Sequence, residues 1–199
     1  MSEVKTNKIS PVGASGTVTL GDSGDTITIP SGVTFANSGT ATGFGKILQV
    51  VGNTYTTPET TAVQLPSYFT TGLTQAITPS STSSKILVMV CASLASSVTD
   101  HQYMTIFRDS TAFAVGTWAT GSQNNVTAVV SSTGSGYGLP STQSFQHIDT
   151  PSTTSSVTYT LKIAAYGGHA IYLNRSKDTT NTGDVVGASS SITLMEIAG

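Results

Sequence analysis

The alternation of apolar and polar positions predicts a chain made of short β-strands. The longest apolar run spans residues 86–92 and reads ILVMVCA. Alternate side chains of a strand point to opposite faces, so Ile86, Val88 and Val90 share one apolar face and the residues between them form a second one. The run is too short to cross a membrane, which takes roughly 18 apolar residues. We therefore expect a second sheet to cover one face and neighbouring copies of the chain to cover the other.

Similar short runs recur along the chain at intervals typical of an antiparallel β-sandwich. In residues 157–165, Tyr159, Leu161 and Ile163 point in while the residues between them point out. The last run, SITLMEI, is apolar on both faces. The predicted strands are residues 46–51, 62–70, 73–78, 85–94, 102–108, 112–117, 125–131, 144–149, 157–165, 170–174 and 191–197. The side chains predicted to form the core or the contacts between copies are Ile86, Leu87, Val88, Met89, Val90, Ile192, Leu194 and Met195.

The first 45 residues have a different pattern. Apolar pairs occur in TVTL, TITI and GVTF, separated by the turn sequences GDSGD and PSG. These side chains cannot close a core alone, because isolated hairpins are only marginally stable in water; parallel chains around a threefold axis could bury them together. We expect residues 13–45 to form a β-stalk with a hinge at 37–45, and residues 46–199 to form the head. Residues 1–12 form a predicted docking segment, with Val4, Lys5, Lys8 and Ile9 as its contact residues.

The composition favours an all-β protein. Ser and Thr number 28 and 35, only 9% of the residues are charged, and Thr, Val and Ile favour strands over helices. The net charge of -2, with 8 Lys and Arg spread along the chain, provides no basic stripe for nucleic acid. Because Cys91 is the one cysteine, an intrachain disulfide is excluded, and we expect this residue to be a small buried hydrophobe.

The N-terminal sequence MSEVKTNKISP lacks the apolar core of a secretory signal peptide. We therefore expect the chain to fold in a cytoplasm. Its surface, rich in hydroxyl groups and poor in charge, is instead typical of an exposed adhesin. A virion component that is released by lysis would reconcile these two observations.

Several segments resemble the recurrent C-terminal domain of tail-fibre and other appendage proteins of tailed phages, especially marine ones. They are GKILQVV, GLTQAITPSSTSSKILVMV, DTPSTTSSVTYTLKI, IYLNRS and SITLMEIAG, and the opening residues resemble the N-terminal modules of the same proteins. The resemblance implies a jelly-roll sandwich similar to the C1q and tumour-necrosis-factor domains, assembled as a homotrimer on a slender stalk. Residues 62–69 depart from the family pattern, and Pro66 should bulge that strand or confine it to a sheet edge.

Motifs for catalysis and metal binding are weak. GDSGD at residues 21–25 matches the nucleophile sequence of trypsin-like proteases, but no histidine precedes it as that family requires, so we interpret it as a β-turn. His101, His147 and His169 lack the close spacing of a metal site, although one histidine repeated around a threefold axis could bind an ion. The 10 acidic residues lie singly, which argues against a glycan-cleaving carboxylate pair within one chain. We expect no catalytic residue, no metal and no cofactor.

Successive strands of an antiparallel sandwich alternate in direction, so their connecting loops alternate between its two ends. This alternation predicts where a receptor would bind. If the last strand pairs antiparallel with residues 46–51, as the resemblance implies, loops 95–101, 117–124, 150–156 and 175–188 lie at the end far from the stalk. An exposed aromatic ring with amide and charged neighbours suits sugar recognition; alternatively, Trp118 closes the end of the sandwich. The candidate receptor-binding residues are Asp100, His101, Trp118, Gln123, Asn124, Arg175, Lys177, Asp178 and Asp184.

These features predict a non-enzymatic, homotrimeric virion appendage, namely a tail fibre or receptor-binding protein. It would dock on another virion protein by its N-terminus and contact a glycan or protein of the host surface. A capsid decoration or head-fibre protein is the alternative. A third hypothesis is a glycan-cleaving tailspike whose carboxylates come from two chains. We expect neither nucleic-acid binding nor membrane insertion.

Overall fold

The chain divides into two compact units, Met1–Phe44 and Gly45–Gly199. The computed structural model describes residues 9–11, 16–34, 47–99, 101–118, 120, 124–131, 138–180, 183 and 185–199. Within these ranges the regular structure is all β, as the composition predicts, with no α-helix. Accordingly, no helix in the described part of the chain is long and apolar enough to cross a membrane.

In the first unit, residues 16–34 contain the two predicted turns but no paired strand. The Asp25 amide donates to the Asp22 carbonyl at 3.0 Å, and the Val33 amide donates to the Pro30 carbonyl at 3.2 Å. A strand needs a hydrogen-bonded neighbour, and this segment finds none among the described residues of its own chain. Its large apolar side chains are exposed: Val18, Leu20, Ile27, Ile29 and Val33.

The predicted docking segment lies mostly outside the described residues. This applies to Val4, Lys5 and Lys8. Ile9 is described, and its side chain is 63% exposed. The structure therefore shows an accessible apolar side chain at the end of this segment.

The second unit is a sandwich of two antiparallel sheets. Eleven strands occur in its described residues: β1 Ile47–Tyr55, β2 Glu59–Thr61, β3 Phe69–Ile77, β4 Lys85–Ser96, β5 His101–Arg108, β6 Thr111–Phe113, β7 Ala128–Ser131, β8 Ser141–Asp149, β9 Val157–Ala165, β10 Ile171–Leu173 and β11 Ser190–Ile197. Sheet A has β4 at its centre, with β8 along one edge and β11 and β10 along the other; β1 lies beyond β11, and β2 beyond β10. Sheet B has the order β3-β9-β5, and β6 and β7 share the other edge of β5.

The core lies between the two sheets and is built by alternate residues of each long strand. Ile86, Val88 and Val90 of β4 are at most 3% exposed, and β11 contributes Ile192 and Leu194 to the same layer. Leu161 and Ile163 of β9 face them from sheet B, as the alternation predicts; the remaining members of the core include Leu73, Ile77, Met104, Ile106, Tyr159, Ile171 and Leu173. This alternation puts Leu87, Met89 and Met195 on the opposite, outer face of sheet A, where they are only half-buried.

One predicted strand, residues 62–70, is wrong. Strand β2 ends at Thr61 and β3 begins at Phe69, and between them the Ser67 amide donates to the Gln64 carbonyl at 2.9 Å to form a turn. Pro66 lies in this turn, preceded by a cis peptide bond. Proline has no amide hydrogen to give to a sheet ladder, so the apolar run AVQLPSYF cannot continue as one paired strand.

The strand register also corrects two predicted loop positions. Gln49, Glu196, Ile86 and Asp149 form one row across sheet A near the start of β1, so the loop 150–156 that follows β8 lies at this near end and not at the far end. Residues 114–127 connect Phe113, which faces Ile106, to Ala128, which faces Met104. This segment is therefore an excursion from the side edge of sheet B, and the predicted far-end loop 117–124 belongs to it.

Candidate functional site

The outer face of sheet A carries an uncovered apolar row. The register aligns Val50 of β1, Met195 of β11, Leu87 of β4 and Ile148 of β8 side by side. Val50 and Ile148 are 54% and 59% exposed, and the two residues between them are half-buried. We call the surface formed by this row and the two rows beside it, Gly52-Thr193-Met89-Gln146 and Thr54-Ser191-Cys91-Ser144, the outer A face.

A shallow groove crosses the outer A face next to the apolar row. It has a volume of about 410 Å³ and is lined by residues of β4, β8 and β11, among them Met89, Cys91, Ser144 and Thr193. The row Thr54-Ser191-Cys91-Ser144 consists of small side chains, which leaves the groove room beside the longer Met89 and Gln146. A bulky row next to a groove is a shape that can interlock with another sheet face.

The middle of the outer face of sheet B, over β5 and β9, is covered by its own chain. The Tyr68 ring packs edge-on against Phe107, with centroids 5.2 Å apart, and the Lys162 amino group lies 4.0 Å from the Phe107 ring centroid. Residues 62–68 thus form a strap over this face. The cover is effective, since Thr105 and Ala164, which alternate with core residues and so point outward, are both 0% exposed.

Beside the strap, at the far end of β5 and β9, lies a pocket of about 380 Å³. Gln64 and Leu65 of the strap form one wall, Tyr103 of β5 lines the pocket next to them, and Tyr166 and Gly167 follow β9. The His101 ring lies beside the Tyr166 ring, with centroids 5.7 Å apart. Asn124 of the 114–127 excursion completes the lining. We call this the B-face pocket.

Three carboxylates of the sandwich are held by hydrogen-bond donors in structural positions. Asp149 of sheet A accepts two hydrogen bonds from Nη1 of Arg108, at 2.9 and 2.7 Å, and one from the Tyr159 hydroxyl at 2.6 Å. Arg108 and Tyr159 belong to sheet B, so this group ties the two sheets together. Burial and the Asp149 hydrogen bond raise the pKa of the Tyr159 hydroxyl far above its ordinary value.

Glu196 is a second buried carboxylate. It accepts hydrogen bonds from Nε2 of Gln49 at 2.6 Å and from the amide and hydroxyl of Ser80 at 2.6 and 3.1 Å. Burial alone would raise the pKa of Glu196, but the surrounding hydrogen bonds outweigh burial and lower it. This carboxylate therefore stays ionised inside the sandwich and joins the 78–84 turn to sheet A.

The third carboxylate, Glu59, closes the open edge between β1 and β3. It accepts from the Tyr55 hydroxyl at 3.0 Å and from the Gly72 amide at 3.1 Å. A Cβ atom at position 72 would meet the Tyr55 ring at 2.5 Å, so a larger residue there would have to displace the ring from Glu59. None of these three carboxylates is thus placed as half of an open glycan-cleaving pair.

The structure separates the residues that were predicted to share one receptor site. His101 and Asn124 come together at the B-face pocket, whereas Arg175 stacks over the Tyr172 ring at 4.5 Å and donates to the Thr60 hydroxyl, on the outer side of sheet A. The Lys177 amide donates to the Gly138 carbonyl. Asp178 accepts from the Thr180 amide, a bond that lowers the pKa of its carboxyl. Asp100, Gln123 and Asp184 lie outside the described residues.

Trp118 does not close the sandwich, because its side chain is 81% exposed. The open side between β6 and β8 is closed instead by Phe113, which packs against His147 and Tyr159 with centroids 6.2 Å from each. His147 is thus an aromatic packing residue. Within the described ranges, no group of three His, Cys, Asp or Glu residues is placed to hold a metal ion.

Sequence reasoning missed Gln64, Tyr103 and Tyr166 as site residues. Tyr103 alternates with core residues of β5 and is recognisable only as an outward position once the register of β5 is known. Tyr166 precedes the Gly167-Gly168 turn. An aromatic residue at the start of a loop could have been recognised from the sequence as a candidate site residue. Gln64 reaches the pocket because the strap crosses the sheet, which no local pattern reveals.

No protein-family model matches the chain, and no curated protein matches it. The functional assignment therefore depends on the sequence and on the two outer faces.

Proposed function

We propose that the protein is a homotrimeric structural appendage of a virion, a tail fibre or receptor-binding protein whose sandwich contacts the host surface. The observation that carries this proposal is the outer A face. Soluble monomers seldom leave a contiguous apolar row uncovered on a regular sheet, and such a patch marks an interaction surface. Three copies packed through this face would bury Val50, Leu87, Ile148 and Met195 together.

The strand order supports a jelly roll of the C1q and tumour-necrosis-factor kind. Four strands of sheet A follow the order β1-β11-β4-β8, and four of sheet B follow β3-β9-β5-β7. The chain passes between the sheets after β2, β3, β4, β7, β8 and β9. Eight strands in two such sheets, with repeated crossings between them, are the features of a jelly roll. This order agrees with the resemblance of the sequence to phage appendage proteins.

The first unit supports assembly by an independent observation. Its apolar side chains are exposed in residues 16–34, and this segment has no paired strand. Copies of this segment wound together would supply both the missing hydrogen bonds and the missing cover. Residues 1–12 then dock on another virion protein.

The decisive measurement is the solution mass of the purified full chain by light scattering. We expect three times 20.3 kDa. A stable monomer at micromolar concentration would overturn the trimer and with it the appendage. Immunogold labelling of the particle then distinguishes the tail from the capsid shell, and label on the shell alone would favour a decoration protein.

A further inference from the structure

The B-face pocket is lined by uncharged groups. Its described lining residues offer two amides, two phenol rings and two aliphatic side chains; they are Gln64, Leu65, Tyr103, Asn124, Ala165, Tyr166 and Gly167. A charged ligand would need an opposite charge to offset its desolvation, and the described residues of this lining supply none. The chemistry of the pocket therefore selects a neutral ligand that has both apolar and hydrogen-bonding surfaces.

The aromatic groups provide a stacking platform. Tyr166 is 52% exposed, yet its backbone amide bonds the His101 carbonyl and its ring lies against the His101 ring. The ring is thus accessible and held in place. The C–H face of a pyranose packs well on such a ring, because an aromatic face is apolar at its centre and carries negative charge density.

The amide groups approach the pocket from two different segments. Gln64 is fixed by a bridge to Ala165, and its side-chain nitrogen lies against Gly168. Asn124 reaches the pocket from the 114–127 excursion. An amide both donates and accepts, so two amides in one lining with a stacking ring match the vicinal hydroxyl groups of a sugar, each of which also donates and accepts.

We propose that the B-face pocket binds a neutral pyranose, as a single residue or a terminal disaccharide of a larger glycan. The volume of about 380 Å³ lies within the range of small-ligand sites and suits one or two sugar rings. This inference rests on the proposed attachment function and names the chemistry by which the head would attach. All of its residues belong to one copy of the chain, so binding does not require assembly.

Saturation-transfer NMR on the full-length protein tests the proposal. The probes are the methyl glycosides of glucose, galactose, mannose and N-acetylglucosamine, with glucuronate as the anionic comparison. We expect transfer to at least one neutral glycoside and little to glucuronate. Tyr166→Ala should lower that transfer about fivefold or more, the effect of losing one aromatic stacking contact, while Tyr166→Phe retains it. Asn124→Ala should lower it as well.

Trp118→Ala is the matched control, because it removes an exposed aromatic ring from the excursion that carries Asn124 without touching the pocket lining. Transfer unchanged by both Tyr166→Ala and Asn124→Ala overturns the proposal, and so does the absence of transfer to any neutral glycoside. Loss of transfer in Trp118→Ala alone would assign binding to Trp118 instead. The solution mass is measured on the same samples: a trimer without sugar binding removes only this inference, whereas a monomer that binds sugar removes the proposed trimeric appendage and leaves the assignment of the pocket standing.

Discussion

The two outer faces of the sandwich obey the same strand alternation but differ in what covers them. On sheet B the strap places Tyr68 over Phe107, and the outward-pointing Thr105 is fully buried. On sheet A the equivalent positions remain open, and Val50 is 54% exposed. An apolar outward position thus indicates cover of some kind; whether the cover comes from the same chain or from another one depends on the path of distant segments.

The largest expected effect is a change in solution mass. It compares a carboxylate placed on the outer face of sheet A with one placed on the outer face of sheet B. Val50→Asp puts a carboxylate into the apolar row, where assembly would bury it at a cost of about 3 kcal/mol or more in each copy. We expect the mass to fall from three chains to one. Val129→Asp is the matched control, because Val129 is 51% exposed on a strand of sheet B and points outward beside Tyr103. A trimer that survives Val50→Asp would assign the interface to another surface.

A smaller effect should follow from breaking the link between the two sheets. Asp149→Ala leaves the Arg108 guanidinium and the Tyr159 hydroxyl without their shared acceptor. We expect a loss of about 3 kcal/mol in the free energy of unfolding, at the low end for a buried pair, because the Arg108 side chain is 32% exposed. Urea denaturation at fixed protein concentration measures it. Combining Asp149→Ala with Arg108→Met should recover part of the loss, and equal losses would show that the charge on Arg108 is not the cause.

Removing the strap ring tests the cover of sheet B directly. Tyr68→Ala should lower the free energy of unfolding by about 2 kcal/mol, since it removes a half-buried ring and its contact with Phe107. The trimer mass should stay unchanged, because this face is covered within one chain. Tyr68→Phe keeps the ring and should cost less than about 0.5 kcal/mol, as its hydroxyl lies 3.5 Å from Thr105. A change of mass in Tyr68→Ala would contradict the division between the two faces.

The smallest expected effect is a pH dependence of the unfolding free energy, which comes from Glu196 in the interior of the sandwich. The pKa of Glu196 is lowered in the folded state from its ordinary value of 4.5, so folding favours its ionised form. Its contribution to stability is complete above pH 4.5 and is lost as the pH falls through the lowered pKa. Glu196→Gln should therefore flatten the decline in unfolding free energy as the pH falls below 4.5. Identical slopes for the two proteins would assign the acid sensitivity to other groups.

Much of the fold follows from local sequence patterns. Strand β9 and the inward side chains of β4 and β11 lie where the alternation predicts. Successive side chains of a strand point to opposite faces, so the direction of each one depends only on its position along the strand. The turns GDSGD and PSG likewise form from local glycine and hydrogen-bonding preferences. The strand predicted at residues 62–70 failed because apolar character outweighed Pro66 in that prediction. The prediction that loops 117–124 and 150–156 lie at the far end was wrong because it assumed that successive loops alternate between the two ends of the sandwich.

The sequence by itself determined that the protein is all β, where most strands lie and which side chains face the core, since these properties depend on neighbouring residues. Only the tertiary structure decided that Asp149 meets Arg108, that the strap covers sheet B and leaves sheet A open, and that Gln64, Tyr103, Asn124 and Tyr166 share one pocket. These contacts join residues far apart in the chain. They depend on sheet order and register, which packing of the whole sandwich sets and no local pattern encodes.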